Sequence, residues 1–432
     1  MTDFTVLITT LTKDLKYFIE LTINNIVVMG RKTADTLQNP LNDRINIVIT
    51  KKQNYRNKEG FINFLTLDLA LEYSKQMNKN IFVIGGYQII EEAIQHKKCR
   101  NIIIDMTTRT IIFQKLLEIL KIYTLTHIED NNIFSYTYKN HEEIQYLNLL
   151  NKIITHGELR ETRNAQTYSL FGEKLVFDLQ NGFPLLTTKK IFIRGIIEEL
   201  LFFLKGETNT KLLEEKGVNI WKGNTSKEFL QKNGKNLIEG EMGPMYGYQW
   251  RKFNGEIDQL AILINNIVVD PNSRRLLFTT YNPSQVEEGV LYPCHGLITQ
   301  FYVKNNKISL QTYQRSADSF LGLPFNIASY ALLLHIIVNL VNNNKNRTHA
   351  HDYEHGEVII ILGDAHIYSD NKADHLSVVK QQLALIDKTY KFPKLVFNTK
   401  LKDLQDINKL IASDFNIVDY VCHPALKAQM IE

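Results

Sequence analysis

Short runs of β-branched residues alternate with helix-periodic stretches through the first 140 residues. Apolar runs at Phe4 to Ile8, Ile26 to Met29, Ile45 to Thr50, Ile81 to Ile84 and Asn101 to Ile104 predict strands, and Leu67 to Gln76 and Tyr87 to Gln95 predict helices between them. That alternation predicts an α/β domain. From Glu142 the pattern changes. Ile144, Leu147, Leu149, Leu150 and Ile153 mark one helix, and the long helices that follow are interleaved with strands without a regular βαβ repeat, which predicts an α+β domain. The boundary stretch Tyr138-Lys-Asn-His-Glu-Glu has no Pro-, Gly- or Ser-rich tract, so two closely joined domains, 1–140 and 141–432, are expected. The most apolar stretch, Ile327 to Val341, contains Ser329, His335 and Asn339 and reads as a buried core helix too short to span a bilayer comfortably. The polar run Asn342 to Arg347 after it reads as a surface loop.

Composition narrows the function classes. A chain of 432 residues has room for two cores, and 44% apolar with 22% charged residues excludes a disordered or fibrous chain. The net charge of +4 is too small for a dedicated nucleic-acid binder, so no DNA partner is expected. Three scattered cysteines, Cys99, Cys294 and Cys422, exclude a disulfide framework and a Cys-rich zinc site, and no metal is expected. Asp3 stands where a signal peptide wants a base, so a cytoplasmic protein without a membrane partner is expected.

The chemistry concentrates around Leu291-Tyr-Pro-Cys294-His295. A lone Cys-His pair is weak, because most cysteines are small buried hydrophobes. Here Ser273-Arg274-Arg275 precedes it and Gln314-Arg315-Ser316-Ala-Asp318 follows it. Three guanidinium groups and a hydroxyl suit a phosphate dianion, and positive charge should lower the pKa of the Cys294 thiol toward the nucleophilic thiolate.

These residues, with Ser319-Phe-Leu-Gly322-Leu-Pro-Phe-Asn326, Gly363-Asp-Ala-His366-Ile-Tyr368 and the closing Cys422-His423-Pro-Ala-Leu-Lys-Ala-Gln429, resemble thymidylate synthase from about Glu142 to Glu432. The resemblance implies methylation of dUMP to dTMP, with 5,10-methylenetetrahydrofolate giving carbon and hydride and leaving as dihydrofolate. It makes Cys294 the nucleophile on C6 of uracil, beside His295. It makes Glu199, of Ile196-Ile-Glu198-Glu199, the proton-transfer group with Tyr246 as helper; Glu198 is the adjacent competitor, and in isolation both acids read as ordinary helix-surface residues. Asn326 suits uracil on its own chemistry, since its amide can donate to O4 and accept from N3–H, whereas cytosine has the opposite order. By resemblance Arg163, Arg274, Arg275, Arg315 and Ser316 hold the phosphate, and His366 and Tyr368, two apart on one strand face, hold the 3′-hydroxyl. Trp221, Asp318 and Gly322 hold the folate, and Lys189 its polyglutamate. Arg274 and Arg275 reach a partner's site in this family, which implies a homodimer. One departure is plain: the Gly-bearing phosphate loop of the family is replaced by Arg160-Glu-Thr-Arg163-Asn-Ala-Gln.

In the first domain Val28-Met-Gly30-Arg31-Lys32-Thr33 and Val83-Ile-Gly85-Gly86-Tyr87 each follow an apolar strand. A glycine turn is the plain reading of either alone. Their order, with Leu11-Thr-Lys-Asp14-Leu-Lys-Tyr-Phe18 before and Asp43-Arg44-Ile-Asn-Ile-Val-Ile-Thr50 between, resembles dihydrofolate reductase, and fused reductase-synthases carry the domains in this order. The resemblance implies a mixed, mainly parallel sheet. It assigns Asp14 and Phe18 to the pterin, Arg44 to the folate glutamate, and Arg31, Lys32, Thr33, Thr50, Gly85 and Gly86 to NADPH. Only Thr9-Thr10-Leu11-Thr12 and Lys13 separate the first strand from Asp14, about a dozen residues fewer than the family's nicotinamide lid, and Thr107 to Phe113 lacks the usual acidic insert. Without a lid, water exclusion and hydride alignment suffer, so weak or absent reductase activity is expected. A fully bifunctional enzyme is the main alternative. A pyrimidine hydroxymethylase is disfavoured by Asn326 and Trp221, and a folate- or RNA-binding regulator by the presence of Cys294, Arg274, Arg275 and Arg315.

Overall fold

The computed structural model describes residues 3–8, 15–52, 55, 59–96, 98–105, 123–129, 133–138, 140–162, 165–347, 351–370 and 373–430. Contacts divide the chain into two units, Met1–His141 and Glu142–Glu432.

The first unit is built on eight strands: β1 (Phe4–Ile8), β2 (Ile26–Gly30), β3 (Ile45–Ile49), β4 (Phe61–Phe64), β5 (Ile81–Gly85), β6 (Cys99–Asp105), β7 (Tyr123–Glu129) and β8 (Ile133–Tyr138). Their order is β4-β3-β2-β5-β1-β6-β8-β7. The first six are joined by parallel pairings, and β8 pairs antiparallel with both β6 and β7. The sheet is therefore mixed and mainly parallel. Alternation along each strand feeds two cores: Phe4, Val6, Ile26, Val28, Ile81 and Val83 pack on one face, and Leu7, Val27, Met29, Phe82 and Ile84 on the other. Burial on both faces is why these strands read as unbroken apolar runs. The helix Leu67–Ser74 starts at Thr66, whose hydroxyl accepts from Leu69 N, and a 3₁₀ turn, Lys75–Met77, completes the expected stretch. Tyr87–Gln95 is helical as expected. The closing hairpin, β7 and β8, was not among the expected strands.

The second unit holds one large sheet. Its strands are β9 (Glu158–Glu161), β10 (Gln166–Asp178), β11 (Leu277–Thr279), β12 (Ile298–Lys304), β13 (Lys307–Asp318) and β14 (Glu354–Asp370), ordered β11-β12-β13-β14-β10-β9. All neighbours are antiparallel except β13 and β14, which are parallel and joined through the helix Gly322–Asn342. That helix extends the expected apolar stretch to 21 residues, long and apolar enough to cross a membrane, but 78% of its apolar window is buried inside the protein. Apolar residues all round are what a core helix needs. It packs against the helix Ile193–Leu204, also nearly all buried. The α+β reading holds, with this single parallel crossover as the exception to "no βαβ".

Candidate active site

A cavity of about 900 Å³ in the second unit is lined by Asn233, Lys235 and Tyr281, by the loop before β12, with Tyr292, Cys294 and Leu297, by the end of β13, with Arg315, Ser316 and Asp318, and by the end of β14, with His366 and Tyr368. Parallel pairing sets the last two side by side, with Asp318 opposite His366 and Ser316 opposite Asp364. The Arg315 guanidinium donates through Nε to the Pro293 carbonyl (2.9 Å) and through Nη2 to the Tyr292 carbonyl (3.1 Å), which clamps the loop just before the nucleophile. His366 Nδ1 lies 3.2 Å from Asp364, which also bridges Arg160 at 3.0 Å. Sequence reading missed Asp364, although it stands inside the quoted motif.

Tyr246 is the pivot behind Cys294. Its ring is stacked between Phe203 (5.0 Å) and His295 (4.6 Å). Its backbone has φ 39° and ψ −103°, outside the regions a non-glycine residue prefers, and Gly247 after it lies so close to Phe203 that a Cβ would meet its carbonyl at 2.2 Å. The phenol oxygen accepts from Cys294 N at 3.2 Å and lies 3.5 Å from Cys294 Sγ. The phenol and the thiol are thus within hydrogen-bonding reach of each other.

The electrostatics correct one expectation. Burial pushes the Cys294 thiol up, and the Tyr246 hydrogen bond and Arg315 only partly offset it. Arg274 and Arg275 are exposed and do not line the cavity of their own chain, so within one chain only Arg315 of the three guanidiniums acts on this thiol. Burial also holds His295 down at about 4, so it is a neutral imidazole, paired through Nδ1 with Tyr330 Oη at 2.9 Å, and not a cation beside a thiolate. Tyr330 had no signal in the sequence beyond being one more apolar position of the core helix.

The two adjacent acids part. Glu198 is buried against Lys216 at 2.7 Å. Glu199 accepts from Trp221 Nε1 at 2.7 Å, and burial raises its pKa to about 7 against that bond. The surface reading that either acid would have in isolation does not apply, because the helix Ile193–Leu204 is buried almost all round. Trp221, read as a pterin-stacking ring, is 8% exposed and has its N–H committed to Glu199. Asn326 donates to Gln314 Oε1 at 3.3 Å. Gly322 opens the core helix, and a Cβ there would meet Asp318 Cβ at 3.7 Å.

Lys189 is corrected outright. It is 4% exposed, donates to the Phe320 carbonyl and lies 3.6 Å over the Phe320 ring. Desolvation lowers its pKa to about 7. A solvent-reaching polyglutamate contact needs an exposed ammonium, which the next residue, Lys190, has. Arg163 lies outside the described residues, as do Asp14, Thr9 to Thr12 and Thr107 to Phe113.

In the first unit a cavity of about 770 Å³ is lined by Gly30, Arg31, Lys32, Thr50 and Gly86, with Lys51, Thr66 and Tyr87 added to the expected set. Gly86 has φ +86°, and a Cβ there would meet Gly30 Cα at 3.3 Å. Thr33 and Gly85 do not line it; they pack on each other, since a Cβ on Gly85 would meet Thr33 Cγ2 at 2.7 Å. Phe18 is buried in the core under the Arg44 guanidinium, 5.8 Å from its centroid, so its ring is not a free pterin platform. Arg44 itself donates to Thr22 Oγ1 (2.8 Å) and to the Asn42 carbonyl (2.6 Å).

The two units thus present two separate cavities, one around a cysteine with arginine, serine and carboxylate neighbours, the other around a glycine cradle. The thymidylate synthase family matches residues 144–432 and the dihydrofolate reductase family residues 5–111. A bifunctional dihydrofolate reductase-thymidylate synthase of Paramecium tetraurelia is 34% identical over 97% of this chain and 94% of its own length. That of Zea mays is 34% identical over 96% of this chain and 92% of its own. The thymidylate synthase of Mycoplasma mobile is 44% identical over 66% of this chain and 99% of its own. The chain belongs to the thymidylate synthase family, in its fusion with dihydrofolate reductase, and its second unit is a methyltransferase that converts dUMP to dTMP. Membership of both families implies folate and NADPH use.

Proposed function

We propose that Cys294 adds to C6 of dUMP and that 5,10-methylenetetrahydrofolate supplies both the methylene carbon and the hydride, leaving as dihydrofolate. The observation that carries this is Cys294 Sγ, 3.5 Å from a phenol held in place by two stacked rings, in one cavity with Arg315, Ser316, Asp318, His366 and Tyr368. Arg315 and Ser316 take the phosphate, with Arg163 and a partner's Arg274 and Arg275 completing the set. His366 and Tyr368 take the 3′-hydroxyl. Addition at C6 makes C5 a carbon nucleophile and puts charge on O4, which the Asn326 amide meets. Glu199, with a pKa near 7, can both give and take a proton at the working pH, and Asp318 meets the pterin.

A homodimer is supported by the outward face of the large sheet, where Ile298, Tyr302 and Tyr313 are exposed, Tyr302 to 63%. Arg274 and Arg275 stand just before β11 at the edge of that sheet, placed to reach a second copy. Sedimentation should give about twice the 50.1 kDa chain mass. A monomer at micromolar concentration would count against the shared site. A cytoplasmic setting suits a thiol that must stay reduced.

The Gly30 to Lys32 turn and Gly86 leave the close approach that a dinucleotide phosphate needs, so the first unit fits NADPH, which would carry a hydride to dihydrofolate. Only five residues stand where the family's lid would be, and reduction is therefore expected to be weak. One assay tests both halves. With dUMP, 5,10-methylenetetrahydrofolate and NADPH, the product base should carry a methyl group by mass spectrometry, dihydrofolate should accumulate, and NADPH absorbance should fall little. A hydroxymethyl base would sink the methyltransferase mechanism. Rapid NADPH oxidation would mean a fully bifunctional enzyme.

A further inference from the structure

His375 opens the helix His375–Leu383, behind an N-cap aspartate that accepts from Leu376 N (3.0 Å) and Ser377 N (3.4 Å). The side chain is fully buried. Nε2 lies 2.8 Å from the Gln429 carbonyl oxygen, and because a carbonyl only accepts, this nitrogen carries the proton. The opposite nitrogen faces the active site. Nδ1 lies 3.8 Å from Asp318 Oδ1 and is buried without a hydrogen bond among the described residues. The ring stands edge-on to Tyr368 (5.4 Å, 83°) and tilted on Phe320 (5.7 Å).

One imidazole therefore hydrogen-bonds the closing segment on one side and packs its unprotonated nitrogen against the Asp318 carboxylate on the other. Asp318 Oδ1 accepts from Phe320 N and Leu321 N, both at 3.0 Å, so its orientation is set by its own turn and by the packing of the His375 ring beside it. The closing segment from Asp419 to Met430 has no helix or strand. Its other ties to the body include His423 N to the Thr187 carbonyl and His423 Nε2 to the Lys388 carbonyl, both 2.8 Å and both several residues before Gln429. With no ladder of backbone bonds to hold it, the segment's end depends on individual contacts such as that to His375.

We propose that His375 is a positioning residue that transmits docking of the closing segment, through Gln429, to Asp318, so that folate capture depends on it while nucleotide capture does not. Tyr368 has only a ring-edge contact with His375 and is held by β14, so the nucleotide side should be little disturbed. The inference rests on the assignment of Asp318 to the folate.

The test is steady-state kinetics on the full chain with dUMP and 5,10-methylenetetrahydrofolate, beside dUMP binding by calorimetry. His375→Leu should raise the folate KM about tenfold or more with dUMP affinity unchanged within about twofold. His375→Gln, whose amide N–H can still donate to the Gln429 carbonyl, should recover most of the loss. Removing residues 428–432 should cost much less in the His375→Leu background than in the parent, since the contact is already gone. Parent-like folate KM in His375→Leu, an equal loss of dUMP affinity, or strictly additive costs would each overturn the proposal. Should His375→Leu fail to fold, the cycle between His375→Gln and the deletion decides it, because coupling requires His375→Gln to keep most of the deletion's cost. Asp318→Asn is measured alongside: if its folate KM is unchanged, the folate assignment fails; if it rises while His375→Leu behaves as parent, only the coupling fails.

Discussion

Cys294→Ser will lose methyl transfer, with kcat/KM down by roughly 10⁴-fold or more, while dUMP affinity stays within a few-fold of the parent. The reason is a separation of tasks within one cavity. In the proposed mechanism binding falls to Arg315, Ser316, His366 and Tyr368 on the ends of β13 and β14, none of which needs the thiol for its position. Arg315 grips the Tyr292 and Pro293 carbonyls, backbone groups that the substitution leaves in place. Chemistry needs a nucleophile that can be ionised near neutral pH, and a serine hydroxyl is a far weaker acid than even a thiol raised by burial. Binding calorimetry beside product assay checks it; turnover close to the parent would remove Cys294 from the mechanism.

Glu199→Gln is expected to lower kcat by roughly 10²- to 10⁴-fold with small effects on KM, the usual range for a positioned proton-transfer group. Its pH signature is the sharper test. The carboxyl titrates at about 7 in the fold against an ordinary 4.5, with burial as the cause and the Trp221 N–H as the opposing bond. Because the folded value is raised, the folded state holds its proton more tightly. The stability this carboxyl contributes is therefore present below about 4.5 and is lost as pH rises from there through about 7. The kcat profile should have a limb near 7 that disappears in Glu199→Gln. In Trp221→Phe, where the ring remains but the donor to Oε1 is gone, the limb should move to higher pH. A limb that stays put in both variants would assign it to another group.

How much of this was legible differs between the two units. In the first, unbroken apolar runs such as Ile26 to Met29 predicted strands that the sheet contains, because central parallel strands bury both faces and need nothing but bulk and branching. The β7–β8 hairpin went unseen: its strands read Tyr-Thr-Leu-Thr-His-Ile-Glu and Ile-Phe-Ser-Tyr-Thr-Tyr, mixed patterns whose pairing is settled by the register against β6. In the second unit, the two-residue spacing of His366 and Tyr368 correctly predicted one strand face, a purely local consequence of the pleat.

The sequence by itself determined the division into an α/β and an α+β part, the clustering of Cys294 with basic and hydroxyl residues, and the shared strand face of His366 and Tyr368, because each follows from local periodicity or from residue chemistry at short spacing; the roles assigned to those residues came from family resemblance. Only the tertiary structure decided protonation and partnership. Glu198 and Glu199 are adjacent and chemically alike, yet one faces Lys216 and the other Trp221, a choice set by the 100° step between successive helix positions inside a crowded core. Lys189 and Lys190 are likewise alike in sequence, and folding buries the first over Phe320 while leaving the second exposed. Whether the arginines around Cys294 depress its pKa was also beyond sequence: charge acts over distance, and folding brought Arg315 close, left Arg274 and Arg275 at a sheet edge, and let desolvation prevail.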